Sequence, residues 1–299
     1  MKRKANSVWR LSQWELMLII LTIAAAACSA QLSPYYLNLD QIADSSRQFI
    51  IPGLLALGLM VVVVLGEIDI SLASTLAVGT VMLSKFSAFH VQLWLAFPVV
   101  LVICALLGAL NGVLVAWLGL PSLAVTLGTM GAYRGLAFII GTEQGYTDFD
   151  DSYLWCGTER VLGDIVPVSL IVFGVVALVV GFVVHQTVFG RRCFSVGHNK
   201  DAAWFSGIEV RKLKIQTYTL AGALAALAAL VWIGQYGSAR GDNADGMILF
   251  VITAVVLGGV DISGGRGTVL GVVLSLLLLG TIRNGMGCRK VWYLVPFAC

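Results

Sequence analysis

Acidic side chains interrupt the apolar sequence where a carboxylate could bind a solute or line its path. Glu67 and Asp69 stand between two apolar runs with no basic neighbour, and Ser71 follows them. A carboxylate at bilayer depth is costly, so it normally faces a cavity or a partner. One interpretation is therefore a polar position beside a translocation path. The other is a turn at the membrane surface, where Asp69 caps the next helix.

The same short pattern occurs a second time near the end of the chain. VLGEIDIS at 64–71 matches VLGGVDIS at 256–263 at six of eight positions, and the second copy supplies Asp261 and Ser263. Duplicated, glycine-interrupted segments are the usual sequence pointer to a transport pathway. The glycine-rich stretch that follows lacks the GxxxxGK[ST] pattern, so we exclude nucleotide binding there.

Further polar residues lie within or between the apolar runs. Asn111 is typical of a side chain that hydrogen-bonds between helices. Arg134 is expected to extend towards the outer membrane face. Arg240 and Asp242 lie in GSARGDNADG at 237–246, whose side chains could hydrogen-bond a neutral polyol. A solvated loop is the alternative for that segment.

Other kinds of chemistry have little support in the sequence. The six cysteines have no paired spacing, and the three histidines are far apart, so we expect no metal site, disulfide scaffold or cofactor. No cluster of catalytic residues is present, which argues against an enzyme. The net charge of +3 is too small to indicate a nucleic-acid partner.

The composition then identifies the elements that must position these residues. Hydrophobic residues make up 59% of the 299, and charged residues only 12%, against about 25% in soluble domains. We predict an all-α polytopic transmembrane helical bundle in the lipid bilayer. Nine candidate spans are 15–32, 49–66, 69–86, 93–117, 121–140, 164–186, 213–235, 248–259 and 268–284. The eighth is too short to cross, and the third begins at a charged turn, so both are expected in broken or re-entrant elements.

Basic residues indicate the orientation of the spans. Residues 1–10 carry four basic residues and no acid, and residues 187–212 carry five basic residues. Such segments remain in the cytoplasm. Six predicted crossings separate the two segments, and an even number of crossings places both on the same side of the membrane. The sequence therefore predicts a cytoplasmic N-terminus, with the acidic loop 141–163 outside.

The segment 189–213 contains a candidate short helix. Asn199 can cap a helix of about eight residues, which Gly207 would end. Such a helix between two spans could dock into a partner. It could equally lie on the membrane surface, held there by Trp204 and Phe205.

Four motifs occur in a recognisable order. They are GEIDISLAS at 66–74, FSVGHNKDAAWFSGI at 194–208, GSARGDNADG at 237–246 and AVVLGGVDISGGRGTVLG at 254–271. With these motifs and the span spacing, residues 10–287 resemble the permease subunits of ATP-binding-cassette (ABC) importers for ribose, xylose, arabinose, rhamnose and autoinducer-2.

This resemblance implies a bacterial inner-membrane permease that moves a small sugar inward together with a second permease copy or paralogue. It also implies a periplasmic sugar-binding protein and a separate cytoplasmic ATPase subunit, while the permease itself hydrolyses nothing. The residues implied in coupling to the ATPase are Gly197, Asn199, Lys200, Asp201, Ala202, Ala203, Trp204, Phe205 and Gly207. The residues expected along the substrate pathway are Glu67, Asp69, Ser71, Asn111, Arg240, Asp242, Asp261 and Ser263.

Two further expectations complete the sequence-based interpretation. Residues 1–287 are predicted to form the permease domain, and residues 288–299 an atypical tail in place of the family's final span. An ion- or proton-coupled secondary carrier is the alternative function, because Asp69 and Asp261 lie among apolar residues.

Overall fold

The computed structural model describes residues 12–32, 39–141, 145–161 and 166–294. Apart from one small hairpin, the elements in these ranges are helices. The helices are α1 (Gln13–Leu32), α2 (Leu39–Val64), α3 (Leu72–Ala88), α4 (Leu93–Trp117), α5 (Ser122–Ile140), α6 (Asp151–Thr158), α7 (Val168–Gln186), α8 (Val188–His198), α9 (Lys200–Phe205), α10 (Val210–Tyr236), α11 (Met247–Leu257) and α12 (Val269–Leu294). The hairpin pairs β1 (Arg160–Val161) antiparallel to β2 (Val166–Pro167), with Arg160 opposite Pro167.

Each of the nine predicted spans corresponds to an apolar helix, so the all-α polytopic bundle is confirmed. In the described residues, six helices are long and apolar enough to cross a membrane. Helices α3 and α11 and the apolar stretch Val269–Gly285 of α12 are shorter. The eleven-residue α11 rises only about 16 Å at 1.5 Å per residue, which agrees with the predicted broken element. The third span begins at Leu72 rather than at 69, because residues 65–71 form a turn.

Three helices differ from the sequence-based expectations. The sequence did not predict α6 or α8, and α9 has six residues rather than about eight. The basic N-terminal residues 1–11 lie outside the described residues, as do 295–299 of the predicted tail. Residues 288–294 continue α12.

Contacts between helix ends define two sides of the bundle. The side that carries α8 and α9, called the α9 side, also holds the starts of α1, α5, α10 and α12 and the ends of α2 and α7. The contacts that show this are Glu15–Thr268, Val269–His185, Glu67–Lys214 and Ile68–Ser122. On the opposite side, the Tyr153 hydroxyl of α6 donates to the Val91 carbonyl at 2.6 Å. Six apolar helices that match predicted spans, α1 to α5 and α7, therefore lie between the start of α1 and α8, and this number agrees with the predicted crossings.

Helices α4 and α10 approach so closely that only glycine fits between them. A Cβ built on Gly108 would lie 2.2 Å from the Tyr218 carbonyl oxygen, and one on Gly222 would lie 2.2 Å from that of Cys104. Gly108 and Gly112 form a GxxxG pattern, which lets membrane helices gain van der Waals contact along their backbones. This packing fixes α10 against the part of α4 that carries Asn111.

Candidate functional site

The two copies of the repeated motif end their helices in the same way. Gly66 has φ +84°, and its N–H donates to the Val63 carbonyl at 2.8 Å while the Glu67 N–H donates to Val62 at 3.2 Å. This bond pair is a Schellman ending, in which a left-handed glycine stops the helix. At the end of α11 the corresponding glycine is Gly259, with φ +82° and the same pair of bonds. At the helix endings, the structural match is thus one residue later than the sequence match, which paired Gly66 with Gly258.

After each helix ending, an aspartate closes a tight turn on a serine. Oδ1 of Asp69 accepts hydrogen bonds from the Ser71 N–H at 2.9 Å and the Ser71 hydroxyl at 2.6 Å. Oδ1 of Asp261 accepts one from the Ser263 N–H at 2.9 Å. Two equivalent helix endings and two equivalent aspartate turns support a structural repeat.

Asp69 is the centre of a buried polar network. Asp69 is 1% exposed, so its carboxylate lies inside the protein rather than in solvent. The depth of this turn in the bilayer stays a prediction. The Asn111 amide donates to the Ser71 hydroxyl at 2.8 Å, and its oxygen accepts from the Tyr133 hydroxyl at 3.1 Å. Asn111 therefore hydrogen-bonds between helices, as the sequence predicted. Within the described residues, Oδ2 of Asp69 has no hydrogen-bond partner.

A second group of polar contacts holds the backbone of the same turn. The Ile68 carbonyl accepts from the hydroxyls of Thr126 and Tyr218, each at 3.3 Å, and its N–H donates to Ser122 at 3.2 Å. Beside it, the carboxylate of Glu67 pairs with Lys214 of α10. These partners were not predicted from the sequence, although a hydroxyl or a lysine within an apolar run is the signal that could have indicated them.

The loop between α10 and α11 follows the end of α10, on the side of the bundle opposite α9, and it is anchored there by Arg134. The extension of Arg134 towards the outer membrane face stays a prediction. The Arg134 guanidinium donates to the carbonyls of Gly241 at 2.8 Å and Asn243 at 2.7 Å. Arg240 and Asp242 form an ion pair at 3.0 Å, with side chains 55% and 49% exposed. These two predicted pathway residues therefore lie apart from the buried Asp69 network.

The remaining predicted pathway residues lie apart from both the Asp69 network and the Arg240–Asp242 ion pair. Asp261 and Ser263 are exposed in the turn between α11 and α12 on the α9 side. The structure thus brings together Asp69, Ser71 and Asn111, with Glu67 beside them. It does not bring Asp261, Ser263, Arg240 or Asp242 into the same network.

Helix α9 has the cap that the sequence predicted. The Asn199 side chain accepts the Ala202 N–H at 2.9 Å, and Gly207 follows the helix with φ +81°. Ala203 packs inward, whereas Trp204 is 63% and Phe205 81% exposed. The two rings meet edge to face with centroids 4.9 Å apart.

A groove of about 1140 Å³ lies beside α9, between residues 115–120 and 207–216. Lys200, Asp201 and Trp204 line it from the α9 side. The exposed rings and the groove together form a surface that could receive part of another protein.

Thiol and phenol groups outside the spans are held neutral by burial. Burial raises the pKa of Cys193 in α8 to about 12 and that of Cys156 in α6 to about 11. Burial, with the nearby charge of Asp150, raises the pKa of Tyr153 to about 12. Such thiols are poor nucleophiles. Within the described residues, no group of three or more His, Cys, Asp or Glu side chains could hold a metal ion.

Comparison with known proteins identifies the family. A family model described as branched-chain amino acid transport system / permease component matches residues 41–298. The autoinducer 2 import system permease protein LsrD of Enterobacter sp. (strain 638) is 33% identical over 279 residues, covering 91% of this chain and 85% of the relative. LsrD of Yersinia enterocolitica is 32% identical over 286 residues, covering 94% and 86%. No solved structure gives a significant match.

The matched length and identity agree with the four motifs and the multi-span bundle. The chain is an inner-membrane, multi-pass protein, and it belongs to the permease family of the ABC-type sugar importers.

Proposed function

We propose that this chain is the membrane-spanning subunit of an ATP-driven importer for a monosaccharide or a similar small polyol. The N-terminus and the α9 side would face the cytoplasm, where a separate ATPase subunit binds α9. A periplasmic sugar-binding protein would deliver the solute on the opposite side, and a second permease copy or paralogue would complete the path. The relatives named as autoinducer 2 import permeases support a small, sugar-like solute.

The charge distribution on the α9 side supports this orientation. Arg191, Arg192, Arg211 and Lys212 are exposed around α8, α9 and the start of α10. Basic residues near span ends favour the cytoplasmic side.

The observation that carries the proposal is the shape of α9. A capped, six-residue helix presents Trp204 and Phe205 to the outside while Ala203 anchors it to the bundle. Aromatic side chains of this kind are the usual anchors of protein interfaces. Because Asn199 fixes the start of α9, the backbone that carries the two rings is already ordered. Little conformational entropy is therefore lost when a partner docks.

Association with the ATPase subunit tests this proposal. We expect the double variant Trp204→Ala/Phe205→Ala to weaken association by about 1000-fold, since two interface anchors at about 2 kcal/mol each contribute about 4 kcal/mol. The matched control is Phe89→Ala/Trp94→Ala, which removes equally exposed rings from the opposite side of the bundle. Unchanged association of the first variant, or equal weakening of both, would contradict the assignment of α9.

One observation favours the alternative, a proton- or ion-coupled carrier. Oδ2 of Asp69 is buried without a hydrogen-bond partner in the described part of the chain, and unpaired intramembrane carboxylates often bind protons or ions. Such a carrier would lose uptake when an uncoupler collapses the proton gradient, even with ATP present. The importer would instead stop with vanadate and continue with the uncoupler.

A further inference from the structure

Three backbone segments meet at glycine residues on the α9 side. They are the end of α2 at Val64–Gly66, the turn at 258–268 and the last turn of α8 at Gly197. The Gly265 N–H donates to the Val64 carbonyl at 2.9 Å, and this bond links the two repeated turns directly. We call this contact the glycine junction.

No side chain fits inside the glycine junction. A Cβ on Gly197 would lie 2.0 Å from the Val64 carbonyl oxygen and 2.5 Å from the Gly265 nitrogen. A Cβ on Gly264 would lie 2.8 Å from the Gly66 Cα and 3.0 Å from the Gly197 Cα. Backbone therefore packs directly on backbone, and close-packed contacts of this kind transmit displacement because they compress little.

One side of the junction leads directly to α9. Gly197 lies two residues before Asn199, whose N–H donates to Ser195 of α8 and whose side chain caps α9 by accepting from Ala202. Asn199 thus ties the end of α8 to the start of α9. Gly197 is therefore connected to α9 through Asn199.

The other side leads to the buried polar network. Beyond Gly66 the chain runs into Ile68, whose backbone is held by Ser122 and Thr126 of α5 and Tyr218 of α10. Ser71 then binds Asn111 of α4. A shift of this turn acts on three spanning helices at once.

We propose that the glycine junction transmits movement of α9 to the turn at residues 65–71 and to the buried network around Asp69. Gly197 and Gly264 are positioning residues in this scheme, because they act through the backbone that they contact. The inference rests on the proposed function, in which an ATPase subunit binds and moves α9.

Hydrogen exchange of the purified permease–ATPase complex, with and without ATP plus vanadate, tests the relay. In the wild type we expect nucleotide to change exchange at 199–205, at 64–71 and at 258–268 together. In Gly197→Ala the change at 199–205 should remain, whereas the change at 64–71 should fall by about fivefold or more, because overpacking displaces the contact. Gly174→Ala in α7 is the matched control, since a Cβ there meets nothing within 4 Å.

The outcomes separate this inference from the proposed function. If adding the ATPase leaves exchange at 199–205 unchanged, the docking proposal itself is wrong. If nucleotide changes hydrogen exchange at 199–205 alone in the wild type, only the relay is overturned. The same holds if the change in exchange at 64–71 is as large in Gly197→Ala as in the wild type. Should Gly197→Ala fail to assemble, Gly264→Ala applies the same test from the opposite face of the junction, and normal transmission there would overturn the relay.

Discussion

Replacing Lys214 with methionine tests whether the ion pair with Glu67 holds α10 against the end of α2. The two side chains are 9% and 14% exposed. At an effective dielectric constant of about 20, opposite charges about 4 Å apart attract by about 4 kcal/mol. Removing one charge of a buried pair typically costs about 3–5 kcal/mol, because the other charge remains buried alone.

We expect Lys214→Met to lower the free energy of unfolding by about 3 kcal/mol. This value is the lower end of the range, since both side chains keep some contact with solvent. Thermal unfolding in detergent should then shift by about 6–12 °C. Lys212→Met is the matched control, because Lys212 is exposed on the same helix and such changes usually cost below about 0.5 kcal/mol.

A double-mutant cycle separates the ion pair from other effects of the substitution. Glu67→Gln/Lys214→Met should recover most of the lost stability, because neither charge is then left buried alone. If the two single substitutions add without recovery, the pair does not stabilise the contact between α10 and the turn after α2, and the reasoning fails.

Three other predictions follow from buried polar and thiol groups. Asn111→Ala removes an amide that bridges two buried hydroxyls, so the free energy of unfolding should fall by about 1–3 kcal/mol; an unchanged melting temperature would contradict this. Burial raises the pKa of the Cys193 thiol to about 12, so maleimide should not label this thiol at pH 8 until the protein unfolds. Rapid labelling of Cys193 in the folded protein would show that α8 is not packed as described. Arg134→Met removes two bonds to loop carbonyls and should accelerate hydrogen exchange at 237–246, whereas equal exchange rates would exclude Arg134 as the anchor of that loop.

Local patterns predicted the spanning helices and the Asn199 cap because the information is contained in neighbouring residues. An apolar run of sufficient length must form a helix in lipid, so α4 was predicted at 93–117 as observed. The Asn199 cap depends only on residues three positions apart. Helix α8 was not predicted because it is amphipathic rather than continuously apolar. Arg191 and Arg192 are exposed, whereas Cys193 on the other face is buried.

Contacts between distant segments were not predictable in the same way. Glu67 and Lys214 are separated by 147 positions, and Arg134 and Gly241 by 107. Only the packing of the spans brings them together, and no local pattern specifies it. For the same reason the eight predicted pathway residues could be chosen by type, but their separation into three places could not be foreseen.

The shift of one residue in the repeat has a similar cause. The sequence match aligned Gly66 with Gly258 by identity, whereas the structure pairs Gly66 with Gly259 by conformation. A Schellman ending requires the left-handed conformation at the residue after the helix. Two adjacent glycines leave that choice open until the backbone is known.

Uptake into proteoliposomes that contain the permease, its ATPase subunit and its binding protein tests the central claim most directly. D-ribose and autoinducer 2 serve as labelled probes, each measured with vanadate and, separately, with an uncoupler. The account predicts inward transport of at least one probe that requires ATP, stops with vanadate and is unaffected by the uncoupler. Uptake that continues with vanadate and collapses with the proton gradient would contradict it.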